Sequence, residues 1–243
     1  MSKVLLIDIG GTNLRYAYSD GDLSSLNDTN KIKLSCIKGF NDILKNLTEG
    51  EDVDSLVISV AGPKINGSIT MTNRDFSINE KDIQDSFNFK TCHLLNDWES
   101  IGHSLAAFDD KDISFIKDGA EFNDNSFFIG PGTGLGAASL IGDDKVTPTE
   151  IGNTTGLTKA LLKNYSINND DHFISGRGVY IAGGLIRSIF KIMDKDKFIE
   201  YFYGDKKLVH LQILEMIKIG VVKKEHACLH GNLNFYKKII TKA

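Results

Sequence analysis

A glycine-containing stretch near the N-terminus has the residue types and the spacing for phosphate chemistry. It begins at Asp8, reads Asp-Ile-Gly-Gly-Thr-Asn, and follows the apolar run 4–7, which predicts a buried strand. Residues 14–18 predict a returning strand, so the two glycines lie in a hairpin turn that leaves amide groups bare. Bare amides at the tip and a carboxylate at the base can hold a phosphate chain and its Mg²⁺. An ordinary Gly-Gly hairpin without a ligand explains the same hexamer.

A second glycine-rich loop, 130–136, lies near the middle of the chain. It joins an apolar strand pattern to a predicted returning strand at 137–141, so each half opens with a strand, a glycine turn and a strand. Residues 132–137 also fit the dinucleotide fingerprint G-x-G-x-x-A, with Glu150 as its acidic partner. That interpretation needs a helix opening inside the loop, and the next glycine and proline leave little room for one. A nicotinamide enzyme therefore stays an outside alternative.

Asp97 is the candidate catalytic residue. It closes a predicted strand at 93–95, and α/β folds place their ligands at such strand ends. Asn96 offers a second polar group to the same site. Alternatively, Asn96 or Asp97 is only the cap of a helix that begins at Trp98.

Composition limits the classes of function. Apolar residues make up 41% of the 243 residues and charged residues 25%, as in ordinary soluble globular proteins. A net charge of −4 argues against a nucleic-acid or membrane surface. We find no signal-peptide pattern and no apolar stretch long enough to span a bilayer. Three widely spaced cysteines indicate reduced thiols, so we expect a cytoplasmic protein.

Strand and helix patterns alternate along both halves, which predicts an α/β layer structure. The polar, acidic segment 109–125 is the candidate domain boundary. Near the C-terminus, His226 and His230 are four residues apart with Cys228 between them. No glutamate occupies the position that a zinc protease needs, so this pattern favours a solvated helix face.

Four motifs together resemble the bacterial glucokinase family. They are, in chain order, Asp8-Ile9-Gly10-Gly11-Thr12-Asn13, Leu95-Asn96-Asp97, Gly130-Pro131-Gly132-Thr133-Gly134-Leu135-Gly136 and Ile181-Ala182-Gly183-Gly184. The resemblance covers nearly the whole chain and implies the two-domain actin/hexokinase-like (ribonuclease H-like) α/β fold with an interdomain cleft for ATP and sugar. We expect a small domain of residues 1–108 plus 228–243 and a larger one of residues 109–227. The zinc-binding cysteine cluster of the ROK sugar kinases is absent from the sequence, which favours the non-ROK branch.

The resemblance implies ATP- and Mg²⁺-dependent phosphorylation of glucose or a similar hexose at its 6-hydroxyl. Asp97 would be the general base. The sugar would contact Asn73, Asn96, Asp97, Glu150, Asn153 and Asp171. The nucleotide would contact Asp8, Ile9, Gly10, Gly11, Thr12, Asn13, Gly132, Thr133, Gly134, Gly183 and Gly184. Asp8 would lie near the metal.

The chain also departs from the family pattern. Asn153 stands where the family has a histidine, and Asp171 where it has a glutamate. The motif that ends at Gly178 runs directly into the motif that begins at Val179. Family members have a helical segment of the second domain between these two motifs, and that segment is missing here. Two functions therefore stay open: a working hexose kinase, or a catalytically weak or inactive relative that binds sugar or nucleotide. The lost segment also predicts self-association, as a homodimer, to cover the sheet face left bare.

Overall fold

The computed structural model describes residues 3–20, 25–36, 39–71, 77–131, 135–149, 176–204 and 208–242. The chain divides into two compact units. Unit 1 is Met1–Ala107 with Glu225–Ala243, and unit 2 is Phe108–Lys224. In the described part of the chain, no helix is both long and apolar enough to cross a membrane.

The strands within the described residues are β1 Lys3–Ile9, β2 Asn13–Ser19, β3 Asn30–Lys33, β4 Val53–Val60, β5 Lys64–Ile65, β6 Ser68–Thr70, β7 Ser77–Asn79, β8 Thr91–Asn96, β9 Ile113–Lys117, β10 Ser126–Pro131, β11 Leu135–Ile141, β12 Lys145–Thr149, β13 Gly178–Ile181 and β14 Ile219–Val222. The α-helices there are α1 Phe40–Thr48, α2 Glu80–Phe87, α3 Asp97–His103, α4 Gly184–Ile189, α5 Lys195–Tyr203, α6 Leu208–Met216 and α7 Ala227–Lys242. Short 3₁₀ turns occupy Leu34–Cys36, Ser104–Ala107 and Asp110–Asp112.

Unit 1 is built on a five-stranded sheet in the order β3-β2-β1-β4-β8. The first three strands pair antiparallel, as the predicted hairpin requires, whereas β1, β4 and β8 run parallel. Parallel strands have their carboxyl ends at the same edge of a sheet. The carboxyl ends of β1, β4 and β8 therefore lie side by side at one edge of this sheet.

Alternating side chains of β1 reach both faces of this sheet. Leu5, Ile7 and Ile9 are wholly buried in one apolar cluster with α1 and α2, and the other face packs against α7. Burying each large apolar side chain stabilises the fold by about 1.5–3 kcal/mol. The continuous apolar run 4–7 is therefore explained by a strand covered on both faces.

Unit 2 repeats this topology. Its sheet has the order β12-β11-β10-β13-β14-β9, with β10, β11 and β12 antiparallel and β10, β13 and β14 parallel. The first five strands thus correspond one by one to the unit 1 sheet, and β9 adds an antiparallel edge. The predicted duplication of strand, glycine turn and strand is confirmed.

Some sequence-based predictions were wrong. Strand β9 lies inside the segment predicted as a polar boundary, and β12 was not predicted. The apolar pattern at residues 32–37 predicts a third strand, but the strand β3 ends at Lys33 because a 3₁₀ turn follows it. Leu135 begins a strand paired with Pro131, which excludes the helix that a nicotinamide site needs. The predicted helix 156–164 lies outside the described residues.

Candidate active site

The β1–β2 hairpin carries the first predicted motif. Three residues, Gly10 to Thr12, link Ile9 to Asn13, and the Gly10 N–H donates to the Asn13 carbonyl at 3.0 Å. Gly11 and Thr12 are exposed at the tip. The side chain of Ile9 is wholly buried in the core, so this residue can meet a ligand only through its backbone.

Asp8 is a buried carboxylate with partners on both oxygens. Arg15 Nη1 donates to Oδ2 at 3.0 Å, and Ser59 Oγ lies 3.3 Å from Oδ1. Burial raises the pKa of Asp8, while Arg15, the Cys228 thiol and Ser59 act in the opposite direction. Burial, and the negative charge of Asp8, also raise the pKa of Cys228 well above its usual range. The thiol is therefore protonated and serves as a hydrogen-bond donor.

The donor chemistry of Asp8 fits a Mg²⁺ ion. Mg²⁺ is usually held by one or two carboxylates together with phosphate oxygens and water, and a carboxylate oxygen can accept a second contact. Among the described residues there is no cluster of three or more His, Cys, Asp or Glu side chains that could hold a metal.

Asn96 caps helix α3. Its Oδ1 accepts from the N–H groups of Trp98, at 2.9 Å, and Glu99, at 3.3 Å, and Glu99 accepts in return from the Asn96 N–H at 3.2 Å. Asn96 Nδ2 donates to the Gly62 carbonyl at 2.7 Å. The alternative in which Asn96 is a helix cap is thus confirmed. A sugar could still accept from the second hydrogen of Nδ2.

Asp97 is the first residue of α3. It is partly exposed, and its Oδ1 accepts from the Trp98 N–H at 3.0 Å. The Cys228 Sγ lies 3.8 Å from its carbonyl oxygen. A carboxylate in the first turn of a helix is favoured by the helix dipole. The cap interpretation therefore belongs chiefly to Asn96, and Asp97 presents its carboxylate at the strand end.

The sheet register brings the two unit 1 motifs together. Ile9 pairs with Val60, and Val60 pairs with Asn96, so these three residues form one row across β1, β4 and β8. Gly10 and Asp97 are the next residues after that row, at the same sheet edge. Two strand spacings separate them, about 10 Å. This distance suits an acceptor hydroxyl and a transferring phosphoryl group placed between them.

Two glycines of unit 2 lie at the corresponding edge of its sheet. Gly183 has φ of 117°, which favours glycine, and a Cβ atom there would lie 3.6 Å from the Pro131 carbonyl. Gly184 begins α4. The end of β10, where the second glycine loop starts, is therefore next to the Gly183–Gly184 turn.

Several predicted site residues cannot be placed. They lie outside the described part of the chain and are Asn73, Gly132, Thr133, Gly134, Glu150, Asn153 and Asp171.

Sequence reasoning missed a buried polar network beneath the site. Asn232 of α7 is wholly buried; its Nδ2 donates to the Ile7 carbonyl at 2.9 Å and to Ser59 Oγ at 3.2 Å. Its Oδ1 accepts from Ser100 Oγ at 2.7 Å. One feature of the sequence could have revealed this network. Asn232 lies on the same face of α7 as Leu229 and Leu233, which are both buried.

Comparison with known proteins decides the family. The glucokinase family model matches residues 5–160 and 160–239. The chain belongs to the glucokinase family. The glucokinase of Colwellia psychrerythraea is 34% identical over 145 residues, which cover 56% of this family member and 43% of the relative. The chain thus spans about two fifths of the length of the relatives it matches.

Two solved structures show the fold of this glucokinase-family chain. A glucokinase from an Antarctic psychrotroph matches with a TM-score of 0.75 at 17% identity, covering 98% of this chain and 99% of that one. A ROK family protein from Streptococcus pneumoniae TIGR4, in complex with sucrose, matches with a TM-score of 0.65 at 16% identity, covering 99% and 100%. The predicted actin/hexokinase-like α/β fold is confirmed.

The comparisons also correct one prediction. The fold is shared with a ROK family protein, so placement of this glucokinase-family chain in the non-ROK branch is not supported. The family match is made in two pieces that meet at residue 160. The predicted loss of a helical segment between Gly178 and Val179 is not tested by this match and stays a prediction.

Proposed function

We propose that this chain transfers the γ-phosphoryl group of ATP to the 6-hydroxyl of glucose or a similar hexose. The observation that carries the proposal is the shared row of Ile9, Val60 and Asn96, which sets the hairpin tip and Asp97 at one sheet edge. Membership of the glucokinase family supports the same reaction.

In this proposal Asp97 is the general base that takes the proton from the attacking sugar hydroxyl. Its first-turn position favours the carboxylate form that a base needs. The amides of Gly11 and Thr12 would bind phosphate oxygens at the exposed hairpin tip. Asp8 would hold Mg²⁺, which neutralises charge on the phosphate oxygens when bound. Asn96 would position the sugar with its remaining amide hydrogen.

The nucleotide would also contact unit 2, through Gly132 to Gly134 and the Gly183–Gly184 turn. Support comes from the left-handed backbone of Gly183, with φ of 117°, which favours glycine, because a turn without side chains leaves space for a nucleoside. The two units are proposed to be the two domains of a kinase. The corresponding bounds are 1–108 plus 228–243 and 109–227.

The remaining sugar contacts are proposed from the family resemblance alone, at Asn73, Glu150, Asn153 and Asp171. A homodimer is also part of the proposal. It is supported by large exposed apolar side chains in unit 2, such as Ile192, which is 86% exposed, because extended apolar surface favours association.

A second candidate function is sugar or nucleotide binding with little or no turnover. One observation favours it: Asn153 and Asp171 depart from the family pattern. Binding without turnover would leave sugar affinity measurable while phosphorylation is absent.

A coupled assay that follows ADP release tests the proposal, with purified protein, Mg²⁺·ATP and a panel of hexoses. We expect phosphorylation of glucose or a close analogue, abolished in Asp97→Asn. Asp42→Asn is the matched control, because Asp42 is exposed and also lies in the first turn of a unit 1 helix. Calorimetric sugar binding without ADP release would favour the second function. Neither binding nor turnover with any hexose would reject both.

A further inference from the structure

We infer that Asn232 is a positioning residue, which holds the strand of Asp8 and the helix of Asp97 in a fixed relation. The inference rests on the proposed function for its catalytic consequence. It rests on the contacts of unit 1 for its structural part.

The network is directional and ends on the Asp8 carboxylate. One hydrogen of Asn232 Nδ2 goes to the Ile7 carbonyl, and the other goes to Ser59 Oγ. The Ser59 hydroxyl keeps its own proton to donate, and its two acceptors are Asp8 Oδ1 at 3.3 Å and, at 3.4 Å, the Ile7 carbonyl that Asn232 already contacts. Asn232 therefore contacts β1 directly and orients the Asp8 side chain through Ser59.

The other side of the amide faces the helix of Asp97. Ser100 Oγ lies 2.7 Å from Asn232 Oδ1 and 2.7 Å from the Cys228 carbonyl. One hydroxyl proton serves both acceptors of α7. Ser100 is the fourth residue of α3, so this contact fixes the first turn of the helix, where Asp97 lies.

Close packing makes the relation rigid. A Cβ atom at Gly231 would lie 1.8 Å from the Ser100 carbonyl, so the backbones of α7 and α3 are in direct contact at this point. Ser59, Ser100 and Asn232 are each wholly buried. A satisfied polar network in a buried site specifies one arrangement, because every alternative leaves a polar atom without a partner.

Placement of this kind matters for phosphoryl transfer. The base and the phosphate-binding groups must be held in a reactive geometry, and a displacement of about 1 Å can lower the rate by about 10²-fold. Asn232 reaches both elements although it contacts neither reacting group.

Two other residues of α7 and β4 supply a matched control. Tyr236 Oη donates to Ser55 Oγ at 2.8 Å, so Tyr236→Phe also removes one hydrogen bond between α7 and β4. That bond lies one helical turn further along α7 and does not join the Asp8 network. The chain contains one tryptophan, Trp98, and its fluorescence reports directly on the start of α3.

The experiment compares Asn232→Ala, Ser100→Ala and Tyr236→Phe with the wild type. The measurements are kcat, the sugar KM, and acrylamide quenching of Trp98 in the unliganded protein. For Asn232→Ala we expect kcat to fall by about 10- to 100-fold, with the sugar KM little changed and Trp98 more strongly quenched. Ser100→Ala is expected to change in the same direction, and Tyr236→Phe to match the wild type. Ser100→Ala decides the matter if Asn232→Ala does not fold.

Unchanged Trp98 quenching in the folded variant overturns the inference whatever the activity. A changed Trp98 signal with wild-type kcat overturns its catalytic part. The inference is also overturned if Tyr236→Phe loses as much kcat as Asn232→Ala and shows the same increase in Trp98 quenching. General loosening of α7 would then be the cause. A wild type that phosphorylates no hexose rejects the proposed function instead, and the Trp98 measurement still decides the structural part.

Discussion

Asp8 and Arg15 lie directly opposite each other across the β1–β2 hairpin, and their side chains form an ion pair of 3.0 Å. The carboxylate is buried, whereas 31% of the Arg15 side chain is exposed. The pair therefore gives a buried anion a counter-charge that still reaches solvent, next to the proposed phosphate-binding tip.

Removal of Arg15 is expected to destabilise the protein through Asp8. Arg15→Gln leaves a buried carboxylate with neutral partners only, and we expect the free energy of unfolding to fall by about 1–3 kcal/mol. Urea unfolding without ligands measures this. The double variant Arg15→Gln/Asp8→Asn should regain most of the loss, because no buried charge is left uncompensated. A double variant less stable than Arg15→Gln alone would contradict the explanation.

Replacement of the proposed base is expected to act on turnover. Asp97→Asn keeps the size of the side chain but cannot accept the proton, so kcat should fall by on the order of 10²–10⁴. The thermal transition should stay close to that of the wild type. Asp42→Asn should retain full activity. A kcat for Asp97→Asn within a few-fold of the wild type would sink the assignment.

Chelation is expected to abolish the reaction. Phosphoryl transfer from ATP needs a divalent cation that shields the phosphate charge, and Asp8 is the hard oxygen ligand proposed here. Excess EDTA should remove activity, and Mg²⁺ or Mn²⁺ should restore it. Undiminished turnover in EDTA would rule out the proposed role of Asp8.

The departures from the family pattern are expected to weaken sugar binding. Each of the proposed sugar ligands Asn153 and Asp171 is expected to form about one hydrogen bond fewer than the family's histidine and glutamate, worth about 0.5–1.5 kcal/mol. The double variant Asn153→His/Asp171→Glu should therefore bind glucose about 5- to 150-fold more tightly, if the effects add. Titration calorimetry measures the glucose affinity of the wild type and of the double variant. Micromolar glucose affinity in the wild type would argue that nothing was lost.

His93 is expected to make unit 1 sensitive to acid. Burial lowers its pKa from 6.5, and Lys64 adds to this while Glu80 opposes it. In the described residues its Nε2 is buried without a hydrogen-bond partner, and its ring lies edge-on to Phe235. The neutral ring is thus favoured in the folded state. The contribution of the neutral His93 ring to the stability of the folded protein is complete above pH 6.5. It is lost as the pH falls from 6.5 through the lowered pKa that His93 has in the folded state.

The test is the difference between wild type and His93→Phe in urea unfolding across pH 5 to 8. One proton contributes a slope of at most about 1.4 kcal/mol per pH unit. The wild type should lose stability relative to His93→Phe below pH 6.5, and the two curves should run parallel above it. Parallel curves throughout would show that His93 is not responsible.

The central strands could be predicted from the sequence, whereas the edge strands β9 and β12 of unit 2 could not. Residues 4–7 and 56–58 are apolar without interruption because β1 and β4 are covered on both faces. Strand β12 has no fully buried residue and β9 has one, Ile116. Edge strands half open to solvent carry no continuous apolar run, so the pattern that identifies strands is missing there.

The site was predictable only where neighbours in sequence are neighbours in space. Four residues, Gly10 to Asn13, separate the paired Ile9 and Leu14 and so place Asp8 opposite Arg15. That ion pair could have been found by counting along the hairpin. The capping box of Asn96 and Glu99 was likewise visible in the sequence. Asn232 and Ile7 are 225 residues apart, and no local pattern joins them. Their contact depends on how α7 packs, which is set by the whole of unit 1.

Unit 1 is discontinuous in the chain, and this has a consequence for its synthesis. One face of its sheet packs against Leu229 and Leu233 of α7, which the ribosome makes more than 100 residues after the last strand of that sheet, β8. While unit 2 is being translated, the nascent polypeptide carries an uncovered apolar sheet face. Such a surface is a binding site for chaperones and a source of aggregation. Release of an early-terminated product ending near residue 224 would leave that face permanently bare.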